Sequence, residues 1–172
     1  MTMSLSAATL PVFKHMLTNL SHILDKGAAH AEARKFDAAN LLTYRLAPDM
    51  LPFTQQIQIA CDAAKFCVSR LAGSEGPKFE DTETTLAELR QRIRKTIDYV
   101  QSVPAAQIDG SDDREITVPR RAGPIQMKGE MYLKHFVLPN FFFHVTTVYA
   151  LLRHNGVNLG KSDFLANLTT AA

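Results

Sequence analysis

Residues 139–156, PNFFFHVTTVYALLRHNG, constrain the chain more than any other stretch. The segment is apolar enough to be the centre of a core. An apolar run at helical spacing must bury most of its circumference, so the rest of the chain has to wrap it. Yet His144 stands in its middle. On a helix, His144 shares a face with Asn140 four residues back and with Thr147, Val148 and Leu151 ahead. Pro139 opens the stretch and cannot donate to the carbonyl of His135, so the helix carries a break just before the histidine. His144, Asn140 and Thr147 are therefore candidate ligand-binding residues. A packed and satisfied core histidine beside a kink is the competing reading.

The remaining segments supply what could wrap that helix. A first helix is expected from Thr9 as cap, with Pro11 in its first turn and Phe13, Met16, Leu17, Leu20, Ile23 and Leu24 on one stripe, running to about residue 35. Asp37 caps a shorter helical piece. A second helix is expected from Pro48–Asp49 to the stop at Gly73, burying Phe53, Ile57, Ala60, Ala64, Val68 and Leu71. A third starts with the capping box Thr85/Glu88, carries Leu86, Leu89, Ile93, Ile97 and Val100, and pairs Glu88 with Arg92. Residues 115–128 alternate apolar and polar around RRAGP and read as a β-hairpin. The fourth helix spans about Glu130 to Asn155, with Gly156 as its left-handed cap. A polar, loosely held tail follows, with 166–172 as its loosest part. These elements predict one all-α domain over 1–172: a four-helix bundle with a long crossover that carries the hairpin.

Composition narrows the function classes. The 172 residues carry a formal charge of +2, too little to argue for nucleic acid or an anionic membrane. No uninterrupted apolar stretch reaches a membrane span, and no basic leader precedes an apolar run. Cys61 and Cys67 fall on different faces of one helix and read as reduced core residues, which suits a cytoplasmic protein. Phosphate-loop, nucleophile-elbow and zincin motifs are absent, as is a paired-carboxylate pattern. Gln55, Gln58, Asp62, Lys65 and Ser69 recur as a continuous polar stripe on the second helix. Gln58 and Asp62 are its candidates to meet His144 across the core, against the simpler expectation that the stripe is solvated and Asp62 pairs with Lys65. The polar faces His15–Asn19–His22–Lys26–His30 and Arg90–Arg92–Arg94–Lys95 both read as solvated.

Four segments carry a family resemblance: RLAPDM (45–50), QIACDAAKF (58–66), FEDTETTLAELRQRI (79–93) and LPNFFFHVTTVYALLRHNGVNLGKSDFL (138–165). They resemble a bacterial family of unknown function within the DinB-like (DinB/YfiT-like) metalloenzyme superfamily. The resemblance implies the DinB-like four-helix bundle. In its metal-binding members, a histidine from the second helix joins an H-x3-H pair on a later helix around zinc or nickel, and some relatives are thiol-dependent S-transferases. His144 is similar to the first histidine of that pair. Val148 stands where the second would be, and Cys61 or Asp62 lies nearest to the missing ligand on the second helix. The expectation is a small-molecule site near His144, or an altered metal site of His144 and Asp62, with no metal favoured over a divalent one. The alternatives are a non-enzymatic homodimeric or partner-binding bundle, suggested by Phe136, Phe141, Phe142 and Phe143 around the fourth helix, and a thiol-dependent S-transferase or hydrolase.

Overall fold

The computed structural model describes residues 3–120 and 122–166, so Met1, Thr2, Arg121 and residues 167–172 of the expected loose tail lie outside it. Helix α1 (Leu5–Arg34) is capped by Ser4, whose hydroxyl accepts from the Ala7 amide. It therefore starts one turn before Thr9. The Thr9 hydroxyl is inside the helix and donates back to the Leu5 carbonyl at 2.8 Å, and Pro11 is an interior residue. A 3-10 turn (Ala38–Thr43) follows, capped by Asp37 as expected. Helix α2 (Phe53–Ala72) begins directly after Pro52, later than Pro48–Asp49. A proline disfavours helical backbone at the residue before it, so the helix cannot be extended back through Leu51. Gly73 ends α2 in the left-handed region at φ 69°.

Helix α3 (Leu86–Ser102) opens on the Thr85/Glu88 capping box. A short helix α4 (Ala105–Ile108) leads to strands β1 (Glu115–Val118) and β2 (Ile125–Lys128), an antiparallel hairpin in which Glu115 opposes Lys128 and Val118 opposes Ile125. The chain then enters α5 (Gly129–Met131), a π segment (Tyr132–Val137) and α6 (Leu138–His154) as one continuous helical run. The wide π turn lies just ahead of Pro139, where the proline ring and missing N–H would clash with a regular turn. Gly129 makes the junction possible: a Cβ there would lie 2.0 Å from the Ser111 carbonyl oxygen.

Helices α2 and α6 pack along each other, α3 packs on both α1 and α2, and Phe13 of α1 meets Phe141 of α6 edge to face at 4.9 Å. Gly129–His154 is long and apolar enough to cross a membrane by length and composition, but Val137, Phe141, Val145, Val148 and Leu152 are buried against the other helices. That burial is what a core helix shows. The segment expected to be a loose tail instead forms α7 (Lys161–Leu165), which packs on α1.

Candidate functional site

His144 is 7% exposed on α6, and its Nδ1 lies 2.6 Å from Oε1 of Gln56 on α2. Gln56 is 1% exposed, and its Nε2 donates to the Leu51 carbonyl at 2.9 Å. These two contacts fix a tautomer. A carbonyl can only accept, so the Gln56 amide must turn its nitrogen to Leu51 and its oxygen to the histidine. An amide oxygen can only accept, so Nδ1 carries the proton and donates. Nε2 is left with its lone pair and has no hydrogen-bond partner among the described residues. Burial pushes the imidazole below its ordinary pKa, which favours the neutral ring. The Gln56 oxygen thus holds the imidazole in one orientation and tautomer, with Nε2 the nitrogen left without a partner.

The surroundings are apolar and partly open. Leu46, Phe142, Phe143, Thr146, Thr147 and Ala150 line a shallow depression of about 390 Å³ on α6; His144 is not among its lining residues and touches it through Phe143. Phe143 is 56% exposed and its ring stands edge to face with the His144 imidazole at 5.2 Å. The Thr147 hydroxyl donates to the Phe143 carbonyl at 2.7 Å, so its lone pairs remain for a ligand. Asn140 is half-buried one turn before His144, and Val148 is fully buried one turn after it.

A zinc or nickel site does not fit these residues. Catalytic zinc takes three protein ligands, and among the described residues no three His, Cys, Asp or Glu side chains are grouped to hold a metal. His144 offers one lone pair, and its neighbours are an amide already committed at both ends and a valine.

Gln58 and Asp62 are not brought to His144. They belong to a second polar centre between α2, α3 and the loop 74–85. Asp62 accepts from Arg92 Nη2 at 3.1 Å and from Lys65 at 2.8 Å. Gln58 donates to Glu83 at 2.9 Å, and Arg92 Nη1 pairs with Asp81 at 2.8 Å and Glu83 at 3.0 Å. Burial raises the Glu83 carboxyl, but donation from Gln58 and Arg92 outweighs it and holds the group below its ordinary range. This corrects three expectations. The α2 polar stripe is covered rather than solvated, with Gln58, Lys65 and Ser69 buried. Arg92 is buried rather than part of a solvated basic face. Glu88 does not pair with Arg92, because its carboxylate is spent on the Thr84 and Thr85 amides of the cap.

The polar face of α1 is likewise partly covered. Asn19 is buried and donates to the Phe164 carbonyl at 3.0 Å, His15 bonds the Leu165 carbonyl, and Lys26 pairs with Asp163, so α7 sits on groups expected in water. Cys61 and Cys67 are free and buried as expected. Burial pushes the Cys61 thiol up to about 12 and the Cys67 thiol higher still, so neither is a ready nucleophile.

Gln56 is the residue that sequence reasoning missed. Its signal was an amide between Phe53 and Ala60 on the apolar stripe of α2. A buried amide has to be hydrogen-bonded, so its place on that stripe already called for a polar partner on a facing helix.

The chain matches, over residues 5–165, the model of a family described as a domain of unknown function (DUF1993). A solved structure described as a DinB family member protein from Shewanella denitrificans is 42% identical to it, with a TM-score of 0.91, covering 98% of this chain and 95% of that one. No curated protein matches. The chain belongs to the DUF1993 family, and its fold is that of the DinB family.

Proposed function

We propose that this DUF1993 bundle binds a small molecule that places an N–H or O–H donor on Nε2 of His144 and an apolar body against Phe143. The observation that carries this reading is the Leu51–Gln56–His144 relay, which holds the imidazole as the Nδ1–H tautomer and leaves Nε2 with an unused lone pair. A packed histidine would also satisfy Nδ1 in this way, so it is the unpaired Nε2 that carries the ligand reading. Thr147 and Asn140 flank it on the same helix and supply further polar contacts. The ring accepts a hydrogen bond, and with a sufficiently acidic donor it accepts the proton. Gln58 and Asp62 stand outside this pocket.

Phenol, which combines a weakly acidic O–H with an apolar ring, is the probe. With 15N-histidine labelling, phenol is expected to shift the His144 Nε2 resonance saturably, and Phe143→Ala is expected to weaken the effect. An unmoved Nε2 resonance removes the reading. Metal analysis of freshly purified protein separates it from an altered metal site: stoichiometric zinc or nickel that is lost in His144→Ala would decide for the metal.

The same surface supports a second reading, a homodimer. Phe143 and Leu46, 56% and 42% exposed, share the depression beside α6, and exposed large apolar side chains that cluster mark association surfaces. A monomer at high concentration by light scattering rules it out. A dimer dissociated by Phe143→Asp supports it.

A further inference from the structure

The loop 74–85 has no helix or strand and contributes no fully buried apolar residue, yet it roofs Lys65, Arg92, Gln58 and Ser69, all buried. It is held by charge and by Phe79, whose ring takes Lys65 at 4.5 Å and Arg92 at 5.4 Å. Clefts of about 340 Å³ and 510 Å³ open on either side of Phe79. At twelve residues without helix or strand, the loop is longer than the few residues most connections use.

The guanidinium beneath it is poorly matched to its partners. Arg92 Nη1 faces Asp81, Glu83 and the Glu80 carbonyl, three acceptors for two N–H bonds. Its Nε–H is sealed from solvent with no acceptor. No carboxylate grips the fork bidentately, although that is the arrangement a guanidinium favours. Asp81 is 61% exposed, tethered to solvent at one side and to Arg92 at the other. Without the loop, the helix-borne groups are two cations, Arg92 and Lys65, against the single carboxylate of Asp62, which leaves one positive charge uncancelled.

We propose that Arg92 and Lys65 form an anion site for a small carboxylate or phosphate compound, and that Asp81 and Glu83 of the loop are its internal occupants, displaced when the compound binds. The loop is then an autoinhibitory strap. The centre is separate from His144 and independent of what binds there.

The test is calorimetric titration of the whole protein with succinate and with inorganic phosphate at low salt, comparing wild type, Asp81→Asn and Glu80→Gln. All substitutions lie on exposed loop residues, so the fold is retained. Asp81→Asn removes an internal competitor and is expected to bind at least one probe about three- to fivefold more tightly than wild type, in line with the upper strength of one partly exposed ion pair. Glu80→Gln removes the same charge, but its side chain does not engage Arg92, so it is expected to stay within about twofold of wild type. Amide shifts on saturation should centre on the loop and on the facing turns of α2 and α3. The proposal is overturned if Asp81→Asn shows no saturable binding, if it binds no tighter than wild type, or if Glu80→Gln gains as much.

Discussion

Replacing Gln56 with leucine tests the relay that defines the candidate site. The substitution keeps the side-chain volume nearly constant, so no cavity penalty is expected. What is lost is the acceptor for His144 Nδ1, at 2.6 Å and in a position where Gln56 is 1% exposed. A donor left unpaired in such a place costs about 1–3 kcal/mol. The Leu51 carbonyl belongs to an exposed residue and regains water, adding little. A loss of about 2 kcal/mol corresponds to a fall in Tm of about 4–8 °C for a domain of this size. Urea denaturation at pH 7.5 should show a lower midpoint with unchanged slope. The pH dependence follows from the same burial. His144 has its pKa lowered on folding from an ordinary 6.5, so the unfolded chain takes up the proton first as pH falls. The wild type is therefore expected to lose stability as pH falls through about 6.5 and to hold it above. Gln56→Glu places a carboxylate on Nδ1–H, favours the imidazolium and should reverse that slope. The reasoning is refuted if Gln56→Leu stays within about 0.5 kcal/mol of wild type, or if 15N spectra show the wild-type ring protonated on Nε2.

Two further outcomes are expected. Cys61 and Cys67 should resist an aromatic disulfide reagent at pH 8 and react only as fast as the protein unfolds, since burial pushes the Cys61 thiol up to about 12 and Cys67 higher; labelling of either within seconds under native conditions would contradict this. Gly129→Ala should destabilise by about 2–4 kcal/mol in urea denaturation, because the new methyl would sit 2.0 Å from the Ser111 carbonyl and one of the two backbones must move; an unchanged midpoint would show that the junction gives way freely.

Local chemistry was legible where it was complete within a few residues. The Thr85/Glu88 box, Gly73 and Asp37 each bring their own hydrogen-bond partners, and each marks its boundary as expected. The start of α1 was misplaced because Thr9 and Pro11 imitate a cap and a first turn. Ser4 does the capping, and its hydroxyl also meets Ser6, whose amide and hydroxyl are held by Asp109 far along the chain. That support is tertiary and leaves no local pattern. The bundle itself followed from four apolar stripes and from the resemblance, and both point to the same architecture.

Polar faces carry the larger lesson. Periodicity shows which residues share a face, but not whether water or another part of the chain lies over it. Gln58, Asp62, Lys65 and Ser69 have the spacing of a solvated stripe and are roofed instead. The information about the roof was in the loop. Phe79, Asp81 and Glu83 alternate, and all three turn to Arg92, while Glu80 and Thr82 point to solvent. An aromatic and two acids at every second position is what a segment needs to cover a buried cation: a π face and two carboxylates on one side, solvated groups on the other. The converse holds at Gln56. Its place on an apolar stripe demanded a polar partner, and His144 on the facing helix has the same demand. Two polar residues on apolar faces each answer the other, which makes the pair readable before either is seen in space.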